Sequence, residues 1–428
     1  MPDASSSDSQ KTPQCAPQRT PSAAPAPHAP PTFADGALLA VFGTLGPFAA
    51  NTYVPAFGEI AKDLGVGMVA VQQSLSVYLA AFALTSLFVG ALSDALGRRR
   101  VLAAATVGFA AASVGAMTAQ SIGMLCFWRV LMGITVSAGP VLSQAIARDR
   151  WQGVEATRII ALIAVLFGLG PCFAPIVGGE LTVWFGWRSI FAFLAVFSLA
   201  LTALSLFVLK ESLPAERRVS FRPAETVRRY FGALRCPPFT AGVLAHGFCF
   251  MGLIVYSAGA ADFVLHVMGL RVDQFAWMMV PIVAVSMAGA WLGPRLEARW
   301  GARRLVFTGV AVLILSGVFG AAVEWVEPLV FPWVLIPTLV YNFAAGAIRP
   351  TINVMNLDYF PKSRGLAASV QQFSLTGAFA ASSAVLVPLV MGAAWKYALV
   401  MLLSGVLMLA LWLIVDRTRA KYLPAVPR

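Results

Sequence analysis

Two arginines stand where a charge is costly. Arg129, in Phe127-Trp128-Arg129-Val-Leu-Met-Gly133, and Arg349, between Ile348 and Pro350, each lie inside a long apolar stretch. A charge in hydrocarbon costs about 3 kcal/mol or more, so such a residue faces a cavity, handles an ion or ligand, or snorkels to water. At Arg129 the functional reading is preferred. At Arg349, near one end of its stretch, snorkelling is preferred, with neutralisation of a substrate carboxylate as the other reading. Carboxylates inside the apolar stretches are scarce. Proton exchange near neutral pH needs a carboxylate whose ionised form is disfavoured by desolvation. By elimination the candidate is Asp262, because Glu59, Glu180 and Glu324 fall near stretch ends. Covalent catalysis is poorly supplied, with three histidines (His28, His246, His266) and five scattered cysteines that make no CxxC pair and no disulfide framework. His246 and Cys249 share a helix face at i, i+3, but Met251 lies off it. Packing outweighs copper binding there, so no metal site is assigned and no cofactor is expected.

The elements that must position these residues are apolar runs. They fall near 34–57, 70–92, 101–119, 123–146, 158–182, 188–209, 239–265, 274–293, 304–323, 329–353, 365–390 and 396–416. A bilayer core of about 30 Å needs about 20 apolar residues as helix. With 59% hydrophobic residues and 12% charged, the chain has too little charge to cover a water-soluble surface. The runs lack the ten-residue alternation of a membrane β-barrel. An all-α membrane protein of twelve transmembrane helices is therefore expected.

Its orientation follows from basic residues. If the N-terminus is cytoplasmic, 25 of the 31 Lys and Arg fall on the cytoplasmic side and four on the other, with Arg129 and Arg349 inside helices. The net charge of +12 is thus an orientation signal rather than a nucleic-acid footprint, and both termini are expected in the cytoplasm of a multi-pass inner-membrane protein. Residues 1–32, with eight prolines and almost no large apolar side chains, read as a disordered cytoplasmic tail and not as a signal peptide. Residues 33–209 and 239–416 read as two six-helix halves, 210–238 as a cytoplasmic linker and 417–428 as a second tail. An enzyme would need clustered His, Asp or Cys, and a sensor a sizeable soluble domain. Neither is present.

The halves echo each other. Gly90-Ala-Leu-Ser-Asp94-Ala-Leu-Gly97-Arg98-Arg99 follows the second run, and Gly293-Pro-Arg-Leu-Glu297-Ala-Arg-Trp-Gly301-Ala-Arg303-Arg304 follows the eighth. Repeats of this kind mark secondary transporters with a site between the halves. In the fifth run, Gly170, Ala174 and Gly178 form a small-residue stripe at four-residue spacing, flanked by Pro171 and Pro175 and followed by Gly179. A neighbouring helix can pack closely on it.

Residues 90–102 resemble the loop motif of the major facilitator superfamily. The resemblance implies that Gly90, Asp94, Gly97 and Arg98 latch a cytoplasmic gate, although Ala95 stands where the family has a basic residue. The Arg129 segment is similar to the fourth-helix motif of drug/proton antiporters, implying a part in proton coupling. The Gly170–Gly179 segment resembles their antiporter motif. Over 34–416 the chain resembles the Bcr/CflA branch, through Tyr53-Val-Pro55-Ala56, Gln72-Gln73-Ser74-Leu-Ser76-Val-Tyr78, Phe263-Val-Leu265 and Gly365-Leu-Ala-Ala368-Ser369. It departs where that branch has a first-helix acid, here Asn51, and at Ser86, Asp262 and Arg349. The resemblance implies a major facilitator fold and proton-coupled efflux of small amphipathic or drug-like compounds by a monomer. A dedicated carrier of one metabolite, siderophore or metal is the alternative. Cavity candidates are Asn51, Tyr53, Tyr78, Tyr256, Trp277, Tyr341, Asn342 and Gln371, polar or aromatic positions along otherwise apolar helices. Arg129 and Asp262 are the coupling candidates.

Overall fold

The computed structural model describes residues 32–151, 153–271, 274–326, 330–360 and 364–422. Most of both expected tails lies outside the described residues. The first half holds α1 (Ala34–Asp63), α2 (Met68–Leu96), α3 (Arg98–Met117), α4 (Ile122–Arg150), α5 (Gly153–Phe185) and α6 (Arg188–Phe207). The second half holds α7 (Pro237–Cys249 and Met251–Ala258), α8 (Ala276–Trp300), α9 (Ala302–Val326), α10 (Ile336–Asp358), α11 (Gly365–Val390) and α12 (Ala394–Tyr422). No strand occurs among the described residues. Nine of these helices are long and apolar enough to cross a membrane, or ten if the two pieces of α7 make one span. The helix α10 is not among them, because Asn342, Arg349, Asn353 and Asn356 lower its hydropathy. That polarity places chemistry inside the bundle.

Local sequence sets the helix ends. Thr32 and Asp35 form a capping box at the start of α1, the Asp35 N–H donating to Thr32 Oγ1 at 3.2 Å and the Thr32 N–H to Asp35 Oδ2 at 3.0 Å. Ser121 caps α4 through the Met124 N–H at 3.3 Å. The runs read from hydropathy stop short of several helix ends: α1 continues through a 3-10 turn at Val54–Ala56 to Asp63, and α4 continues to Arg150. The linker is not wholly irregular, since Pro223–Leu234 is a helix, and its Tyr230 hydroxyl donates to the Leu87 carbonyl of α2 at 2.9 Å. The helix α7 bends by 47° at Phe250.

Within the first half α1 packs on α5 and α4, α2 on α4, and α3 on α6. Within the second, α8 packs on α10, α9 on α12, and α7 on α12 and α11. The halves meet through α2 against α11 and α5 against α8. The small-residue stripe does what its spacing implies: a Cβ at Gly170 would meet Thr44 of α1 at 2.9 Å, and one at Gly178 would collide with the Thr52 carbonyl. Large apolar side chains such as Trp184, Trp291, Leu315, Trp325 and Leu389 stand exposed on the helix flanks, as expected where the surroundings are lipid. Cys126 and Cys249 are free thiols.

Candidate functional site

Arg129 projects from α4 into the first half with no exposed surface at all. Its guanidinium carbon lies 4.4 Å from the Tyr53 ring centroid and 4.1 Å from that of Tyr78. Cation–π contact of this kind, desolvated, contributes about 2 kcal/mol. The rings are themselves fixed. The Tyr53 and Ser74 hydroxyls share a 2.7 Å hydrogen bond, and the Tyr78 hydroxyl donates to the Gly46 carbonyl at 2.8 Å. None of the three guanidinium nitrogens has a hydrogen-bond partner among the described residues, and no carboxylate there pairs with it. Snorkelling is thereby set aside at this position. A caged, uncompensated charge is left.

The two halves are joined near the end opposite the arginine-rich loops. Ser257 of α7 donates to Asn51 Oδ1 of α1 at 2.6 Å. Gln72 Nε2 donates to Ser383 Oγ at 2.7 Å and to the Ala258 carbonyl at 3.1 Å, Ser76 Oγ donates to Ser383 Oγ at 2.9 Å, and Gln73 Nε2 to the Ala384 carbonyl at 3.0 Å. Ser383 and Ala384 belong to a π-turn, Ser382–Leu386, inside α11. Such turns shift the register of the helix and release backbone groups at functional places.

At the arginine-rich end, Arg98 joins two acids, with Nη1 2.7 Å from Asp94 Oδ1 and Nε 3.1 Å from Asp149 Oδ2 of α4. Ser212 Oγ also donates to Asp149, at 3.1 Å. Glu211, just past α6, accepts the Arg98 and Arg99 backbone N–H groups at 2.9 and 3.3 Å. A carboxylate there meets the positive end of the α3 dipole. Gly97 is needed twice over, because its φ is +102° and a Cβ would meet Glu211 Oε2 at 2.6 Å. Asp149 and Glu211 carry no motif and were missed from sequence. A Cβ at Gly90 would sit 3.9 Å from Val141, an ordinary contact, so no close helix approach explains that glycine. In the second half Gly301 turns in the same way, with φ +78°. There Arg303 pairs with Asp416 at 2.8 Å, and Glu297 accepts from Thr351 Oγ1 at 2.6 Å.

Residues 39–382 match the Major Facilitator Superfamily. The chain belongs to that superfamily. A bicyclomycin resistance protein homolog of Haemophilus influenzae is 28% identical over 287 residues, 66% of this chain and 71% of its own. Multidrug resistance protein D of Escherichia coli is 25% identical over 379 residues, 88% of this chain and 94% of its own. Among solved structures, a bacterial homolog of the human lysosomal transporter Spinster, in an inward-facing and occupied conformation, superposes with a TM-score of 0.69 at 16% identity, covering 91% of this chain and 98% of the other.

In this superfamily member the other candidates divide. Asn51, Tyr53, Tyr78, Asn342 and Gln371 are buried inside the bundle, and the Gln371 Nε2 has no partner among the described residues. Tyr256 and Tyr341 are buried too, but in the packing of the second half. Tyr256 stacks edge-on with Phe263, 4.7 Å between centroids, and the Tyr341 hydroxyl donates to the Phe248 carbonyl at 3.1 Å. Trp277 is not a cavity residue. It is 60% exposed on the flank of α8 against Phe331, and hydropathy alone does not separate a lipid-facing aromatic from a cavity one. Asp262 is buried rather than solvated. It accepts from the Gly392 N–H at 2.9 Å and the Tyr397 hydroxyl at 3.0 Å, and lies 3.1 Å from His266 Nδ1. Its partners belong to the second half, whereas the rings around Arg129 belong to the first. Of the stripe, Ala174, Pro175, Gly178 and Gly179 are buried, while the Pro171 side chain lies outside the described residues. His246 packs edge-on against Phe250, and Cys249 Sγ faces the Ala345 carbonyl at 3.8 Å.

Proposed function

We propose that this chain is a proton-coupled exporter of small amphipathic compounds. In this reading it acts as a monomer in the inner membrane, with its arginine-rich end and both termini in the cytoplasm. The observation that carries the reading is Arg129, a fully buried guanidinium between two tyrosine rings with no carboxylate beside it among the described residues. A fixed charge in the low-dielectric interior biases every proton or ion that enters, which is what coupling requires. Efflux is supported by the relatives, one named as a bicyclomycin resistance protein homolog and another as multidrug resistance protein D. The orientation rests on the excess of Lys and Arg at one end.

Asp262, the one carboxylate classed as buried among the described residues, carries the coupling proton in this reading. Its neighbour His266 has a 58% exposed side chain and connects it to water. Arg129 and Asp262 then act from separate halves, and protonation of Asp262 weakens the tie from the end of α7 to Gly392 and Tyr397. At the cytoplasmic end, Asp94, Gly97, Arg98 and Asp149 hold the gate.

The test uses everted membrane vesicles and a panel of amphipathic compounds. Addition of a substrate is expected to release protons from a preformed gradient. Asp262→Asn should keep compound binding while losing gradient-driven uptake. Equal transport with and without a proton gradient in the wild type would contradict the coupling. Full gradient-driven uptake by Asp262→Asn would move the proton to another group.

A further inference from the structure

The second intramembrane arginine differs from the first in a way that points to the cargo. Helical side chains lean toward their helix N-terminus, and for Arg349 that is away from the arginine-rich end. The side chain accordingly does not snorkel to the near interface. Its Nη2 donates to Ser286 Oγ of α8 at 2.6 Å, and its guanidinium carbon lies 4.1 Å from the Phe250 ring centroid, at the bend of α7. Ser286 stands 10 residues into the 25-residue α8, so the charge sits near mid-membrane. One hydroxyl and one ring face are its described partners. No carboxylate pairs with it among the described residues.

Two further polar groups nearby lack hydrogen-bond partners among the described residues: both amide atoms of Asn356, which is 1% exposed, and the Nε2 of Gln371, which is 6% exposed. Asn356 is two helical turns beyond Arg349 on the same face of α10, about 10 Å along the axis, and its amide abuts Gly242 of α7. Gln371 lies one turn before Ser374, which meets the α7 backbone at Gly247. These side chains therefore occupy the zone where α7, α10 and α11 converge.

We infer that Arg349, with the Asn356 and Gln371 amides, forms a binding subsite for the anionic headgroup of an amphipathic substrate, a carboxylate or a group of like geometry. This rests on the exporter reading above and names its substrate class. A carboxylate would compensate the half-buried charge with a bidentate, charge-assisted pair, and the amides would donate to polar groups nearer the arginine-rich end. Arg129 is not the same kind of site, since two tyrosine rings already hold its guanidinium. Arg349 is only half-buried.

The experiment measures binding of one fluorescent apolar scaffold, carried as carboxylate, primary amide and quaternary amine, to the purified full chain in lipid nanodiscs. The carboxylate is expected to bind about tenfold or more tighter than the amide, a factor of ten being 1.4 kcal/mol. Arg349→Gln should bring that ratio close to one, with the carboxylate losing the most affinity of the three. Arg349→Lys should restore part of the ratio. A wild-type ratio near one, a ratio kept in Arg349→Gln, or a ratio lost only in Arg129→Gln would each overturn the subsite while leaving the exporter intact. Binding of no member of the series would overturn the exporter reading with it.

Discussion

The helices α4 and α10 occupy corresponding places in the two halves, and each carries one arginine into the membrane. Their surroundings are opposite. Arg129 is wrapped by Tyr53 and Tyr78 and has no exposed surface. Among the described residues Arg349 touches a single ring and a single hydroxyl, beside amides that have no hydrogen-bond partner there. A cage of tyrosines keeps a charge in place whatever passes, which suits a permanent part of the machinery. An open guanidinium awaits a counter-charge that comes and goes. The same residue type on equivalent helices is thus divided, in this account, between driving transport and choosing cargo.

The loop repeats show a parallel divergence. In the first half Arg98 gathers Asp94 and Asp149, with Glu211 across the start of α3. In the second half the motif acid turns inward to Thr351, and Arg303 reaches α12 instead. The denser network belongs to the half that carries the closer match to the family's gate motif.

Each difference can be broken deliberately. The largest effect is expected from Gly178→Leu, where even a Cβ collides with the Thr52 carbonyl. Forcing α1 from α5 should cost about 3 kcal/mol or more, read as a fall in thermal midpoint and loss of folded protein in the membrane, or as a proton leak in what remains. Normal stability and tight, normal transport would remove the packing argument for the first half. Next comes Asp94→Asn. Its side chain is 48% exposed, and exposed ion pairs contribute at most about 1 kcal/mol, so stability should barely change while transport falls severely. Wild-type transport by that variant would strip Asp94 of its gating role. Smaller still is the expected effect of Glu297→Gln. The Thr351 hydrogen bond survives with a neutral acceptor, so transport should drop less than in Asp94→Asn. A larger loss than in Asp94→Asn would reverse the ranking of the two loops.

Much of this was legible in the sequence, and the limits have physical causes. The all-helical membrane architecture, the arginine-rich end, the small-residue stripe of α5 and the burial of Arg129 follow from residue type and period, which act locally. The side to which a residue faces does not. Trp277 reads as a cavity aromatic until the α8 flank is seen, and Arg349 reads as a snorkelling residue until the direction of α10 sends it to mid-membrane. Inter-half partners are harder again. Nothing near Ser383 or Ser257 signals that Gln72 and Asn51 will bond to them, because those pairs are set by two halves docking over separations of about 200 residues or more. The bend of α7 at Phe250 has no proline at the break to announce it. Asp149 and Glu211 escape notice because their role depends on where α3 begins in space.

If Arg129 couples a gradient to transport without itself holding the cargo, Arg129→Gln in everted vesicles separates the two roles, with compound binding and gradient-driven uptake measured on the same preparation. Binding is expected to stay close to wild type and uptake to fall to the level of vesicles without the protein. Uphill uptake at the wild-type rate by Arg129→Gln would contradict the coupling role.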